Sequence, residues 1–268
     1  MEIETIIDYI RSVIREIREE NNIHGVVKDS IFEILEKRCT VIYFPTNDKN
    51  RGFHIRKLVK DEMRDFVYIN TDKTIEQQIF TAAHEMGHVW NVYHKVAERA
   101  SIQGIILDES DMDLEERVVD RFAAELLMPE NEFKNSVYRY VKEYEMKGSI
   151  SVVGLLKIIS KLMHEYMSPF NAVRKRLYEV RFLGDEADHY FKKNKQMLEL
   201  FVNQMKKDDN TVLNSVTNVK MISGLRRVVE KAEENPDISK ALVSKLKADF
   251  ELEDIVLNDT IKVNVPEG

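Results

Sequence analysis

Residues 84–88 read His84-Glu85-Met86-Gly87-His88, inside the stretch Phe80-Thr-Ala-Ala-His-Glu-Met-Gly-His88. Upstream, Thr74-Ile-Glu-Gln77 has the form of a capping box and predicts a helix from there to about Tyr93. On a helix, residues four apart lie about 40° apart around the axis, so the His84 and His88 imidazoles can reach one ion. Neutral imidazole is a good zinc ligand. Glu85 stands one position round, where its carboxylate can take a proton from a water held at the metal rather than bind it. Gly87 costs about 1 kcal/mol relative to Ala in a helix interior, which predicts the close approach of another backbone.

A zinc hydrolase needs a third protein ligand and one open position. Two residues compete on spacing. His94 follows His88 by six positions, with Asn91 where a helix-breaking Gly would suit a third His; Asn tolerates the left-handed turn that this needs. The rival is Glu116, in Glu116-Arg-Val-Val-Asp120. Two carboxylates at i and i+4 repel on a bare helix. The pair makes sense if Glu116 binds metal and Asp120 accepts a hydrogen bond from the far nitrogen of a ligand His. A solvated helix face is the plain alternative for Glu116.

Working outward, residues 1–20 place Ile3, Ile6, Ile7, Ile10, Val13, Ile14 and Ile17 on one helical face. Asp29 or Ser30 can cap a short helix ending near Lys37. Thr40-Val-Ile-Tyr-Phe reads as a strand stopped by Pro45, and Gly52-Phe-His-Ile and Phe66-Val-Tyr-Ile-Asn as two more. Together they suggest a small antiparallel sheet of three strands. Asp111 to Met128 reads as a helix ended by Pro129. Residues 150–162 and 169–183 form a helix pair around Ser168-Pro169. Two or three polar helices follow Gly184, and Asp254 to Val265 reads as a terminal strand. The class is α+β: a small sheet with the motif helix packed on it, then a mostly helical C-terminal half.

Composition removes several classes. Of 268 residues, 43% are hydrophobic, enough for an ordinary core. The net charge of −7 argues against a general nucleic-acid coat or a membrane-surface protein. The single cysteine, Cys39, allows no internal disulfide. No apolar run approaches a membrane span, and the acidic N-terminus is unlike a signal peptide. A cytoplasmic protein is the expectation. Residues 1–140 carry 19 basic and 27 acidic residues, a balance of −8; residues 141–184 carry 8 and 4, or +4; residues 185–268 carry 13 and 16, or −3. These shifts suggest boundaries near 140 and 184: a 1–140 core, a 141–184 helix pair and a 185–268 accessory region.

From Gln78 to Pro129 the chain resembles the ImmA/IrrE family of metallopeptidases, which are gluzincin-like. The resemblance rests on the helix Phe80 to His88 and on Glu116-Arg-Val-Val-Asp-Arg-Phe-Ala-Ala-Glu-Leu-Leu-Met-Pro129. The second segment fits the family pattern E-x-x-A-[ND]-x-F-A-A-x-L-L-M-P except at Val119. It implies a zincin-like core, a Zn²⁺ cofactor, His84, His88 and Glu116 as metal ligands, Glu85 as catalytic base and Asp120 behind a ligand. His94 then recedes. It also implies a zinc endopeptidase whose partner is a protein substrate, usually a helix-turn-helix repressor. The competing class is a peptidase-like regulator or antitoxin that binds DNA or a repressor without cleaving it; the complete set of ligands and base favours the enzyme.

Other residues have plainer readings. His54 or Tyr68 can donate to an oxyanion from a strand beside the cleft, but both are first of all strand residues. Trp90 and Tyr93 read as core. The helix pair resembles a helix-turn-helix, and Arg174, Lys175, Arg176 and Arg181 give 169–181 a possible DNA contact through phosphates, with packing the favoured role. Residues 185–268 are too short and too helical for the GAF-like sensor that some family members carry.

Overall fold

The computed structural model describes residues 3–108, 110–145, 148, 150–208, 213 and 215–252. The terminal strand expected at Asp254 to Val265 lies outside them. After a 3₁₀ turn at Ile3–Ile6, α1 (Ile7–Glu20) buries Ile10, Val13, Ile14 and Ile17, the face its isoleucine spacing predicts. Then come α2 (Ser30–Glu36), β1 (Thr40–Phe44), β2 (Gly52–Val59) and β3 (Glu62–Asn70). The helices α3 (Ile75–Val89), α4 (Val92–Ile102), α5 (Met112–Leu127) and α6 (Glu130–Glu143) follow. α7 (Val152–Tyr166) and α8 (Phe170–Glu179) are the helix pair, joined through a left-handed Met167. Beyond them lie α9 (Asp185–Lys193), α10 (Lys195–Asp208), β4 (Met221–Ile222), α11 (Leu225–Glu233) and α12 (Lys240–Asp249).

The α+β class holds, and the sheet differs from the expected three antiparallel strands in two respects. It is mixed and four-stranded, in the order β2-β3-β1-β4. β2 and β3 form an antiparallel hairpin from Gly52↔Ile69 to Val59↔Glu62. Its two-residue turn, Lys60-Asp61, has both φ angles positive, the geometry whose twist suits a tight hairpin. The connection from Pro45 to Arg51 carries the chain past β3, so β1 pairs with the other side of β3 in parallel, Thr40↔Phe66 to Phe44↔Asn70. Asn70, fully buried, pins that connection: its side-chain amide donates to the carbonyls of Thr46 and Asn50 and its oxygen accepts from the Thr46 N–H. The accessory region reaches back as well, since β4 pairs antiparallel with β1.

Val41, Tyr43, Val67 and Ile69 face inward from the sheet onto α2 and α3, and one continuous apolar core runs from α1 to α10. Two glycines let α3 sit tightly. A Cβ on Gly87 would stand 2.7 Å from Val119 Cγ1 and 3.2 Å from Phe122 Cδ1. What comes close to Gly87 is therefore the side-chain face of α5, not a backbone. A Cβ on Gly52 would strike the Tyr68 carbonyl at 2.6 Å and Thr81 Cγ2 at 2.5 Å, so the first residue of β2 lies flush against α3.

Arg174 and Arg176 of α8 are buried, and neither is free for a phosphate. Arg176, 0% exposed, donates to the Met128 carbonyl at 2.9 Å and pairs with Glu125 and Glu179; Arg174 pairs with Asp188. Buried guanidinium groups need such partners. They lock α8 to α5 and α9, while Lys175 and Arg181 of the same basic stretch stay exposed. Among the described residues, no helix is long and apolar enough to cross a membrane.

Candidate metal centre

α3 opens at Thr74, although the Thr74 side chain makes no capping bond, and it runs straight through the motif. It ends where Trp90 gives way to Asn91, which adopts φ +51°. The left-handed turn at Asn91 starts α4 in a new direction. α4 buries Val92, Tyr93, Val96, Ala97 and Ala100, and this leaves His94 on its exposed side, outside the imidazole cluster. Trp90 and Tyr93 are core residues, 2% and 6% exposed.

α5 packs across α3 and presents its acidic first turns to the two imidazoles. His84 Nε2 and His88 Nε2 lie 3.3 Å apart. Glu116 spans both, with Oε2 3.2 Å from His84 Nε2 and Oε1 3.4 Å from His88 Nε2. A tetrahedral zinc about 2.0–2.1 Å from each nitrogen sets them about 3.3–3.4 Å apart, so these spacings fit that ion. The far ring nitrogens are both engaged. His84 Nδ1 donates to Asp120 Oδ1 at 3.0 Å and His88 Nδ1 to Glu115 Oε1 at 3.3 Å. With each Nδ1 carrying the proton, both Nε2 lone pairs converge on the space shared with Glu116. Two imidazole acceptors and a carboxylate packed so closely repel one another unless a cation lies between them. The donor set fits a divalent metal.

Asp120 is legible from its i+4 spacing to Glu116. Glu115 is not, because in Asp113-Leu-Glu-Glu116 an extra acid looks like solvated helix surface; only the crossing of α3 and α5 brings it to His88.

Glu85 is 5% exposed. Burial, with repulsion from Glu116 added, pushes its carboxyl up to about 7 against the opposing pull of His84. At His84, burial works against the charged ring, but the hydrogen bond to Asp120 and the surrounding carboxylates outweigh it and raise its pKa. Burial and the neighbouring His84 lower that of His88. A Cβ on Gly52 would lie 3.6 Å from Glu85 Oε1, so β2, which ends the sheet on that side, begins directly beside this carboxylate.

His54 is on the β2 face toward α3. Its ring is parallel to that of His88 with centroids 6.2 Å apart, and its Nε2 bonds Asp65 at 2.7 Å. Tyr68 belongs to the opposite face, since its neighbour Val67 is the residue paired with His54. Its hydroxyl donates to the Phe44 carbonyl at 2.9 Å. It is a sheet residue and does not reach the imidazoles.

A peptidase family model, described as the IrrE N-terminal-like domain, matches residues 36–178, just over half of the chain. No curated protein matches. Among solved structures, a Mycobacterium tuberculosis transcriptional regulator is similar at 17% identity and TM-score 0.43, covering 63% of this chain and 46% of that one. The chain thus spans under half the length of that structure, and a likeness of this size carries no argument.

Proposed function

The chain belongs to the family of the IrrE N-terminal-like domain, and on that premise we propose that it is a cytoplasmic zinc endopeptidase that regulates transcription by cleaving a helix-turn-helix repressor. The observation that supports it is the convergence of His84, His88 and Glu116 beside the buried carboxylate of Glu85. His84, His88 and Glu116 would hold zinc. Bound there, zinc supplies a Lewis acid that polarises a carbonyl and lowers the pKa of water.

The remaining chemistry belongs to side chains of this protein. Asp120 and Glu115 fix the tautomer and direction of the two imidazoles. Glu85, with a carboxyl held near neutrality, takes the proton from the attacking water and returns it to the leaving amine. The free edge of β2, starting beside Glu85, pairs with an extended peptide and carries the scissile bond to it. Residues 1–140 form the peptidase core, 141–184 a packed helix pair and 185–268 an accessory region.

The rival is a regulator that binds DNA or a repressor without cleaving it. Burial of Arg174 and Arg176 leaves it only Lys175 and Arg181 of the basic stretch. Derepression of target genes by wild type, Glu85→Gln and a Lys175/Arg181 double alanine variant separates the two. The protease reading expects only Glu85→Gln to fail. Full derepression by Glu85→Gln with failure of the double variant would reject it.

A further inference from the structure

β2 is an end strand of the sheet, and its two faces differ. His54 and Arg56 lie on the face toward α3, and both are taken by Asp65, at 2.7 and 2.8 Å. Phe53, Ile55 and Lys57 alternate on the other face, opposite Tyr68, Phe66 and Arg64 of β3. The ladder continues one residue before β2, where the Asn70 N–H donates to the Arg51 carbonyl at 2.8 Å, so Arg51 heads the same row. All four residues are exposed, Phe53 by 43% and Ile55 by 48%. The Phe53 ring leans on that of Tyr68, centroids 5.1 Å apart, which extends the apolar surface inward from the edge. Arg64, across from Lys57, pairs with Glu62 at 2.9 Å, whereas Lys57 and Arg51 have no salt bridge among the described residues. At Asp120, burial raises the carboxyl pKa, and the His84 bond, helped by the more distant charges of Lys175 and Arg51, outweighs it. Arg51 is thus at the imidazole end of the row, next to the Gly52 that adjoins Glu85.

We propose that the β2 edge selects an extended acidic segment of the substrate: two acidic side chains six residues apart, beside Arg51 and Lys57, and two apolar ones evenly spaced between them, beside Phe53 and Ile55. This rests on the reading of that edge as the place where a substrate peptide pairs. A strand added to β2 continues the sheet, so its alternate side chains fall about 4.5–5.5 Å from that row. Opposite charges attract across such a pair and like charges repel. The half-exposed Phe53 and Ile55 are covered only when the added residues beside them are apolar. Lysine on an exposed edge wards off most strands, but it draws an acidic one. A second copy of this edge fits worse, because it sets the same two cations against the first.

The test is fluorescence anisotropy with the full chain carrying Glu85→Gln, so that bound peptide stays whole. The probe is a labelled seven-residue peptide with aspartate at both ends, valine at its third and fifth positions and threonine elsewhere. Its pattern reads the same both ways and so suits either strand direction. Lysine at both ends should weaken binding about tenfold, and Lys57→Glu should weaken the aspartate peptide about threefold while favouring the lysine one. Serine in place of both valines should also weaken it. Arg227→Glu, exposed on α11 beyond the opposite edge of the sheet, should change nothing. Four results overturn the proposal: no saturable binding of the aspartate peptide at millimolar protein, equal binding of the aspartate and lysine peptides, no effect of Lys57→Glu, or displacement of the peptide by a single-stranded oligonucleotide. The expected pattern in a protein whose wild type releases no new N-termini in cells would reject the protease reading and uphold the selective edge.

Discussion

His88 turns its Nδ1 toward Glu115, 3.3 Å away, as His84 does toward Asp120. Three acids of one helix thus divide the work: Glu116 faces the two Nε2 atoms, while its neighbour Glu115 and its i+4 partner Asp120 each hold one ring from behind. If those outer contacts orient the imidazoles, Glu115→Gln and Asp120→Asn should each weaken zinc binding about 10–100-fold. Chelator competition measures this. A Glu115→Gln protein with wild-type affinity would mean that the His88 contact orients nothing.

The third ligand separates by substitution. Glu116→Gln should lower zinc affinity sharply, because it removes the charged donor that bridges both Nε2 atoms. His94→Ala should leave zinc affinity unchanged, since α4 carries His94 on its exposed side. A larger loss from His94→Ala would reverse the assignment.

Gly87 gives a test of packing in which two effects oppose. Replacing a helical Gly by Ala gains about 1 kcal/mol in propensity. Here the new methyl would meet Val119 Cγ1 at 2.7 Å, and overpacking a core costs about 1–3 kcal/mol. Gly87→Ala should therefore lower the thermal midpoint, and a second change, Val119→Ala, should restore part of the loss. A stabilised Gly87→Ala protein would show that α3 and α5 are not in close contact there.

Much of this was legible in the sequence where one residue pattern had one physical use. The isoleucine spacing of α1, the stop of β1 at Pro45 and the helix ending at Leu127 before Pro129 are of this kind. The β2–β3 hairpin was half visible. Arg56 to Arg64 is mostly charged and exposed on both faces, Leu58 and Met63 included, so no alternation marks it, and Lys60-Asp61 lacks the Gly of common tight turns. β4 is two residues long and gains its place only by pairing with β1. α6 escaped because Pro129, a stop for α5, also serves as the N-cap of the next helix. In the basic stretch of α8, where packing was the favoured role, Arg174 and Arg176 are buried against acids, but charge in a sequence does not say which arginines those are.

The pH dependence follows from Glu85. Burial, then repulsion from Glu116, raises its carboxyl to about 7. A general base must be ionised, so activity is present above that pKa and lost as pH falls through it. A cation bound beside Glu116 favours the ionised form and moves the limb downward. kcat/KM should therefore rise with pH through one acidic limb at or below about 7. A rate that climbs as the pH is lowered would exclude Glu85 as the base.

The central claim is that Glu85 makes this cluster a protease rather than a binding surface. Glu85→Gln keeps the shape of the side chain and all three metal donors, and loss of a positioned acid–base group costs about 10²–10⁴-fold in rate. Its most direct test is profiling of new protein N-termini in cells producing wild type or Glu85→Gln at equal zinc content. The account predicts at least one new N-terminus, in a helix-turn-helix repressor, with wild type and none with Glu85→Gln. The same N-termini in both, or none in either while wild type derepresses its targets, would contradict it.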